Sequence, residues 1–419
     1  MSHSPKLFGA SKKNGLSAVI QLPSSSDLMA MRGLPAGEAE DQSKRLAQMT
    51  ECIRENVPFD GSVKLTDSDF YSLSKEWEQI FLAVRANDVD EALKQYQMLP
   101  SEDAIKSALL SVHTETYLEK LLAECARHIA TAPPSDFSTD VLINNGSFES
   151  LIRDLVVSLN QSGILLAFGL PTHHAYADAA NGFCLLNKTA ILIRQCQAQG
   201  ALPIIIGTDV NRDDGLNQIL NDATNTQPFL HIDIYDSRVY PWHPIEDVAE
   251  MLAQKGFNYK KEKFVNIFSR GEQQYHLIDL KKFKNEKTSM HPALFYACSL
   301  LETRLNKKDK PIQIFLPTGW DSHKDETAGC SVILDQNSLI NKYQLRTQRF
   351  KDSDFEEFFS KIFSLAANDS STVSKILFTL EGGYNPSMYQ KQITILINTL
   401  ISELTPEASM DKIRPFDML

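Results

Sequence analysis

ALPIIIGTDVNRDDG, residues 201–215, decides the reading of the fold. Six consecutive residues of strand length and mostly β-branched or apolar character (202–207) give way at once to a polar cluster containing three acids, an amide and an arginine. A continuous apolar run of this length suits a strand buried on both faces, which is the position of a strand in a parallel sheet. Four further runs read the same way, so the strand candidates are 163–171, 202–210, 228–236, 311–320 and 375–384. Segments of helical period follow at 182–199, 245–255, 292–306, 355–367 and 388–404. The alternation predicts βαβ units around a mostly parallel sheet.

Four of the five runs end in clusters unusual for a structural turn: PTHHA at 171–175, TDVNRDDG at 208–215, TGWDSHKDE at 318–326 and EGGYN at 381–385. Ligands of open parallel sheets bind beyond the carboxyl ends of the strands, so the four clusters are expected to converge on one crevice. Adjacent side chains of an extended segment point to opposite sides, so at least one of His173 and His174 faces that crevice. Asp209 and Asp321 each follow an apolar run, where a carboxylate is costly to bury unless it is paired or bound to a cation. Two acids from separate strands suit a divalent metal, with Asn211 as a third oxygen donor. Taken singly, each acid is equally compatible with a helix N-cap or an Asx-turn. Tyr384, after a glycine pair, is a candidate hydroxyl donor to an oxyanion or a partly buried loop tyrosine.

These segments resemble the histone deacetylase and acetylpolyamine amidohydrolase family. HHAYADAANGFCLLN (173–187) is similar to its tandem-histidine segment, TDVNRDDG to its metal turn, GWDSHKDETAG (319–329) to its second metal segment and LEGGYN (380–385) to its terminal motif; VHTETYLEKL (112–121) resembles one of its helices. The resemblance implies the arginase/deacetylase α/β fold, one three-layer domain around a mostly parallel sheet of about eight strands. It also implies amide hydrolysis with a zinc ion, or another divalent metal, held by Asp209, Asn211 and Asp321. His174 then matches the general base, with Asp214 behind it, and His173 its neighbour. Tyr384 matches the oxyanion donor, Phe183 and Tyr240 the aromatic walls of an acyl tunnel, and Ala328 a bulkier wall residue. Asn211 replaces an imidazole ligand, Gly207 the aspartate that orients the first histidine, and Asp233 a serine. Asp233 is therefore expected to orient His173 in place of residue 207, or to hold a potassium ion. Arg212 replaces a histidine, and the sequence offers no reason for it. The substrate expected is an acetylated lysine in proteins such as histones. An acetylpolyamine, a small amide, or acetyl-lysine binding without turnover are the alternatives.

Length and composition set the bounds. The chain has 419 residues, 42% of them hydrophobic and 23% charged, enough for a large packed core. Its net charge of −11 has the wrong sign for gripping nucleic-acid phosphates. No run reaches the roughly 18 apolar residues of a membrane span and no signal-peptide core opens the chain, so a soluble, cytoplasmic protein is expected. Six scattered cysteines without paired spacing read as reduced thiols. A helical hairpin inserted at about 65–100 and an irregular tail at 405–419 complete the expected organisation.

Overall fold

A computed structural model describes residues 17–24, 45–58, 63–138, 140–283, 289–326, 349–368 and 371–404. In chain order the principal elements are β1 (Ala18–Leu22), α1 (Arg45–Asn56), β2 (Val63–Asp67), α2 (Lys75–Arg85), α3 (Val89–Met98), α4 (Ala104–Leu110), α5 (Glu115–Arg127), α6 (Ser147–Asn160) and β3 (Gly163–Ala167). They continue with α7 (Lys188–Ala198), β4 (Leu202–Gly207), α8 (Asp214–Leu220), β5 (Phe229–Tyr235), α9 (Ile245–Gln254), β6 (Asn258–Glu262), β7 (Val265–Arg270) and β8 (Gln273–Asp279). The last are α10 (Pro292–Leu305), β9 (Ile312–Thr318), α11 (Asp352–Ala367), β10 (Val373–Leu380) and α12 (Pro386–Leu404).

Ten strands form one sheet in the order β2-β1-β3-β10-β9-β4-β5-β8-β7-β6. The first eight of that order run parallel, and β7 and β6 continue antiparallel. The parallel strands inside the β2 edge are buried on both faces because alternate residues enter two separate cores. Leu165 and Ala167 of β3 join the core that contains Trp77, Phe81 and Phe148, while Ile164 and Leu166 join the core that contains Ile53, Phe359 and Leu396. Helices thus cover the sheet on both sides, and the three-layer architecture follows from the apolar runs.

The stretch expected to be a helical insertion begins instead with β2, which pairs in parallel with β1 at the sheet edge. Its sequence, VKLTD, is largely exposed and offers no apolar run to announce a strand. The hairpin itself is present: Trp77, Ile80, Phe81, Val84, Ala92 and Tyr96 of α2 and α3 are buried. Among the described residues no helix is long and apolar enough to cross a membrane, and Cys52, Cys125, Cys184, Cys196 and Cys298 are buried free thiols. Ala328, Cys330 and the tail from 405 lie outside the described residues.

Candidate active site

The four polar clusters follow β3, β10, β9 and β4, which are consecutive neighbours in the sheet. Topology alone therefore brings them together at one end. The loops are also tied to one another: Glu381 accepts hydrogen bonds from the backbone N–H and the hydroxyl of Thr172 and from the Thr379 hydroxyl, and Glu326 accepts from the backbone N–H groups of Tyr384 and Asn385 at 2.8 and 3.0 Å. The 171–187 loop is pinned from outside. His113, which burial keeps neutral by lowering its pKa to about 4, accepts from the Asn187 N–H at 3.0 Å, and the Tyr117 hydroxyl donates to the Leu185 carbonyl.

Asp209 and Asp321 face each other, fully buried. Asp209 accepts from the N–H groups of Asn211 (2.7 Å) and Gly382 (2.8 Å), and Asp321 Oδ1 accepts from the Val210 N–H at 3.3 Å. Asp321 Oδ2 has no hydrogen-bond partner among the described residues. Burial and the neighbouring Asp209 charge raise the Asp321 pKa well above the carboxylate range, the repulsion that a divalent cation between the two would relieve. The cradle leaves no room for anything larger than hydrogen at its rim: a Cβ on Gly319 would lie 2.5 Å from Asp321 Oδ1, and one on Gly382 would lie 2.8 Å from the same atom, each closer still to a second carboxylate oxygen. Asn211 donates its amide N–H to the Tyr240 carbonyl at 2.8 Å, which leaves the amide oxygen as its ligand atom. An orphaned buried oxygen, two opposed carboxylates and one amide oxygen fit a hard divalent cation.

The histidine rings lie side by side, centroids 3.8 Å apart. His174 Nδ1 is hydrogen-bonded to Asp214, whose other oxygen accepts from the Tyr176 hydroxyl at 2.7 Å. His173 Nδ1 meets Asp213 at 2.8 Å, and its Nε2 lies 4.0 Å from Asp209. The carboxylate against His173 is thus Asp213, and the expectation for Asp233 is corrected. Asp233 instead accepts from the Tyr275 hydroxyl at 2.8 Å and the Asn217 amide at 3.0 Å, although β5 sets it level with Gly207. The ligating atoms of Asp213, His231 and Asp233 lie within 4.8 Å of one another, yet Asp213 is already held by both imidazoles. Arg212, buried nearby, keeps its positive charge: burial opposes it, but Tyr275, Asp214 and Asp233 outweigh that cost.

Tyr384 is buried, and burial together with Asp321 and Asp209 raises its pKa well above the phenol value, so the hydroxyl stays protonated. The Phe183 ring stands edge-on to it at 6.2 Å, and the Tyr240 ring edge-on to His174 at 5.1 Å. Phe183 and Gly182 both have positive φ, 68° and 53°, a turn that slides under the His174 ring, where a Cβ at 182 would collide. Arg45, from the start of α1, donates to the Gly383 carbonyl at 2.9 Å and sits over the Tyr384 ring.

The family model for the histone deacetylase domain matches residues 75–400, well over half of the chain. The chain belongs to the histone deacetylase family. An acetylpolyamine amidohydrolase of Burkholderia pseudomallei (strain 1710b) is 31% identical over 107 residues, 24% of this chain and 30% of that protein's length. The crystal structure of the HDA15 HD domain superposes with a TM-score of 0.56 at 14% identity, covering 94% of this chain and 92% of that one, which shows the fold of the histone deacetylase family here. Within that fold, sequence reading missed Asp213, His231, Tyr176, Glu326, Glu381 and Arg45. Glu381 and Glu326 stood inside quoted motifs; for His231, one imidazole in an apolar run, the sequence carried no signal.

Proposed function

We propose that this protein is a metal-dependent amidohydrolase that removes acetyl groups from acylated amines, with acetyl-lysine in proteins as the leading substrate class. The observation that carries the reading is the convergence of the Asp209–Asp321 pair, the Asp214–His174 dyad and Tyr384 at the ends of adjacent strands. A divalent cation, zinc or a harder ion, held by Asp209, Asp321 and the Asn211 amide oxygen would supply Lewis acidity to the acyl carbonyl and to water. His174, with Nδ1–H fixed on Asp214, presents Nε2 as the base that takes a proton from the attacking water and returns it to the departing amine. His173 adds positive charge beside it: burial opposes protonation, but Asp209, Asp213 and Glu381 raise its pKa well above the ordinary value. Tyr384, protonated, donates to the developing oxyanion. Phe183 and Tyr240 flank the approach and suit the methylenes of a lysine side chain.

The relative of known name acts, by that name, on acetylpolyamines, which makes an acetylated polyamine the second substrate class. Elemental analysis of the purified protein and parallel hydrolysis assays on an acetyl-lysine peptide and an acetylated polyamine test the proposal. Acetate release from the peptide supports it, and release from the polyamine alone moves the substrate. Tight retention of the acetylated peptide without turnover replaces the hydrolase by a binding protein.

A further inference from the structure

Asp213 occupies the N-cap of α8, where an aspartate ordinarily accepts a hydrogen bond from the first turn of the helix. It makes no such bond. Its carboxylate turns toward the sheet, taking His173 Nδ1 on one oxygen at 2.8 Å and His231 Nε2 on the other at 2.9 Å, and it is fully buried. The space it fills is the space above Gly207, the last residue of β4. A Cβ at 207 would lie 3.0 Å from Asp213 Cγ and closer still to Oδ2, while the backbone there needs no positive φ. Glycine is thus required at 207 for room, and the room is taken by a side chain from six residues further on.

We propose that Asp213 is the positioning residue of His173, clamped for that role by His231, and that Gly207 and Asp213 form one coupled pair in which the carboxylate arrives from a helix cap rather than from the strand end. A carboxylate grown from 207 would enter the same volume, so the two positions are interchangeable as sources of one group but cannot both supply it. With Nδ1–H held, His173 is confined to one ring orientation, its Nε2 toward Asp209. The inference rests on the amidohydrolase reading for its effect on turnover; its effect on the His173 ring does not.

The test compares wild type, Asp213→Gly, Gly207→Asp and the double variant by NMR of ¹⁵N-histidine-labelled protein, together with kcat and KM on an acetyl-lysine peptide. Asp213→Gly is expected to erase the hydrogen-bonded Nδ1–H signature of His173 and to lower kcat about 10- to 100-fold with little change in KM. Gly207→Asp alone is expected to be damaging, and the double variant to recover the signature and most of kcat. Unchanged His173 resonances in Asp213→Gly, or a double variant no better than the combined singles, overturn the proposal. Should Asp213→Gly fail to fold, the isosteric Asp213→Asn decides. Its amide can accept from only one of the two imidazoles, so unchanged resonances of both histidines overturn the proposal. If the resonances follow the exchange while wild type hydrolyses no acylated amine, the positioning stands and the amidohydrolase reading alone falls.

Discussion

Gly319→Ala isolates the carboxylate cradle from every other part of the site. Residue 319 has φ −105° and ψ 127°, a conformation open to alanine, so the substitution carries no backbone strain. Its cost is steric. The new Cβ would stand 2.5 Å from Asp321 Oδ1, and ordinary contact begins at 3.4 Å, so that carboxylate must withdraw by about 0.9 Å and Asp209, nearer still, by more. Ligand distances in metal sites are kept within about 0.2 Å, and a displacement of roughly 1 Å typically costs about 10²-fold in rate. The withdrawal also strains the bonds to Asp209 from Gly382 N–H and to Asp321 from Val210 N–H, each worth about 1.5–3 kcal/mol for a charged acceptor. The expected protein is therefore folded, with a lowered Tm, a metal content well below one per chain and turnover reduced about 100-fold or more. Circular dichroism melts, elemental analysis and the acetyl-lysine assay read the three quantities. Wild-type metal content together with wild-type kcat would show that the two carboxylates do not share a cation.

His174→Ala should lose about 10²–10⁴ in kcat, far more than His173→Ala; equal activity of His174→Ala and wild type rejects the base assignment. Tyr384→Phe should keep its fold and metal content and lose roughly 2.7–4 kcal/mol of transition-state stabilisation, so an unaltered kcat contradicts the oxyanion role. Asn211→His should tighten zinc against a competing chelator, because imidazole suits zinc better than an amide oxygen does; unchanged zinc affinity would place residue 211 outside the ligand set.

The parallel centre of the sheet was legible because burial on both faces forces runs such as LPIIIG and FLHIDIY, and the loops after those runs could be named from their polarity. The antiparallel edge was not. NYKKE of β6 is exposed along its whole length, and lysines on an edge strand, which discourage pairing with other chains, also erase the apolar signature. Within the site, the residues that follow strands directly were readable, since strand direction fixes where they emerge. Asp213 was not, because its position depends on how a turn enters a helix: two adjacent acids, 213 and 214, diverge to two different histidines. The choice of Asp233 as partner of His173 failed for the same reason, since pairing on a neighbouring strand says nothing of a side chain arriving from a cap.

The place of β10 bears on how the protein comes into being. This late strand does not border the sheet but wedges between β3 and β9, and Glu381 beyond it reaches back 209 residues to Thr172. During synthesis, His173, His174, Asp209 and Asp321 all emerge from the ribosome while the slot between β3 and β9 is still empty. Until residues 373–380 enter that slot, the two halves of the site have no common wall, and Tyr384 has not arrived. Closing contacts so distant in sequence is slow, so a nascent or prematurely terminated chain holds the acids and histidines without the geometry that would let them bind a metal or act. Loss of the last strand would split the sheet through its middle, and the acids, histidines and Tyr384 share one wall only once that strand is in place.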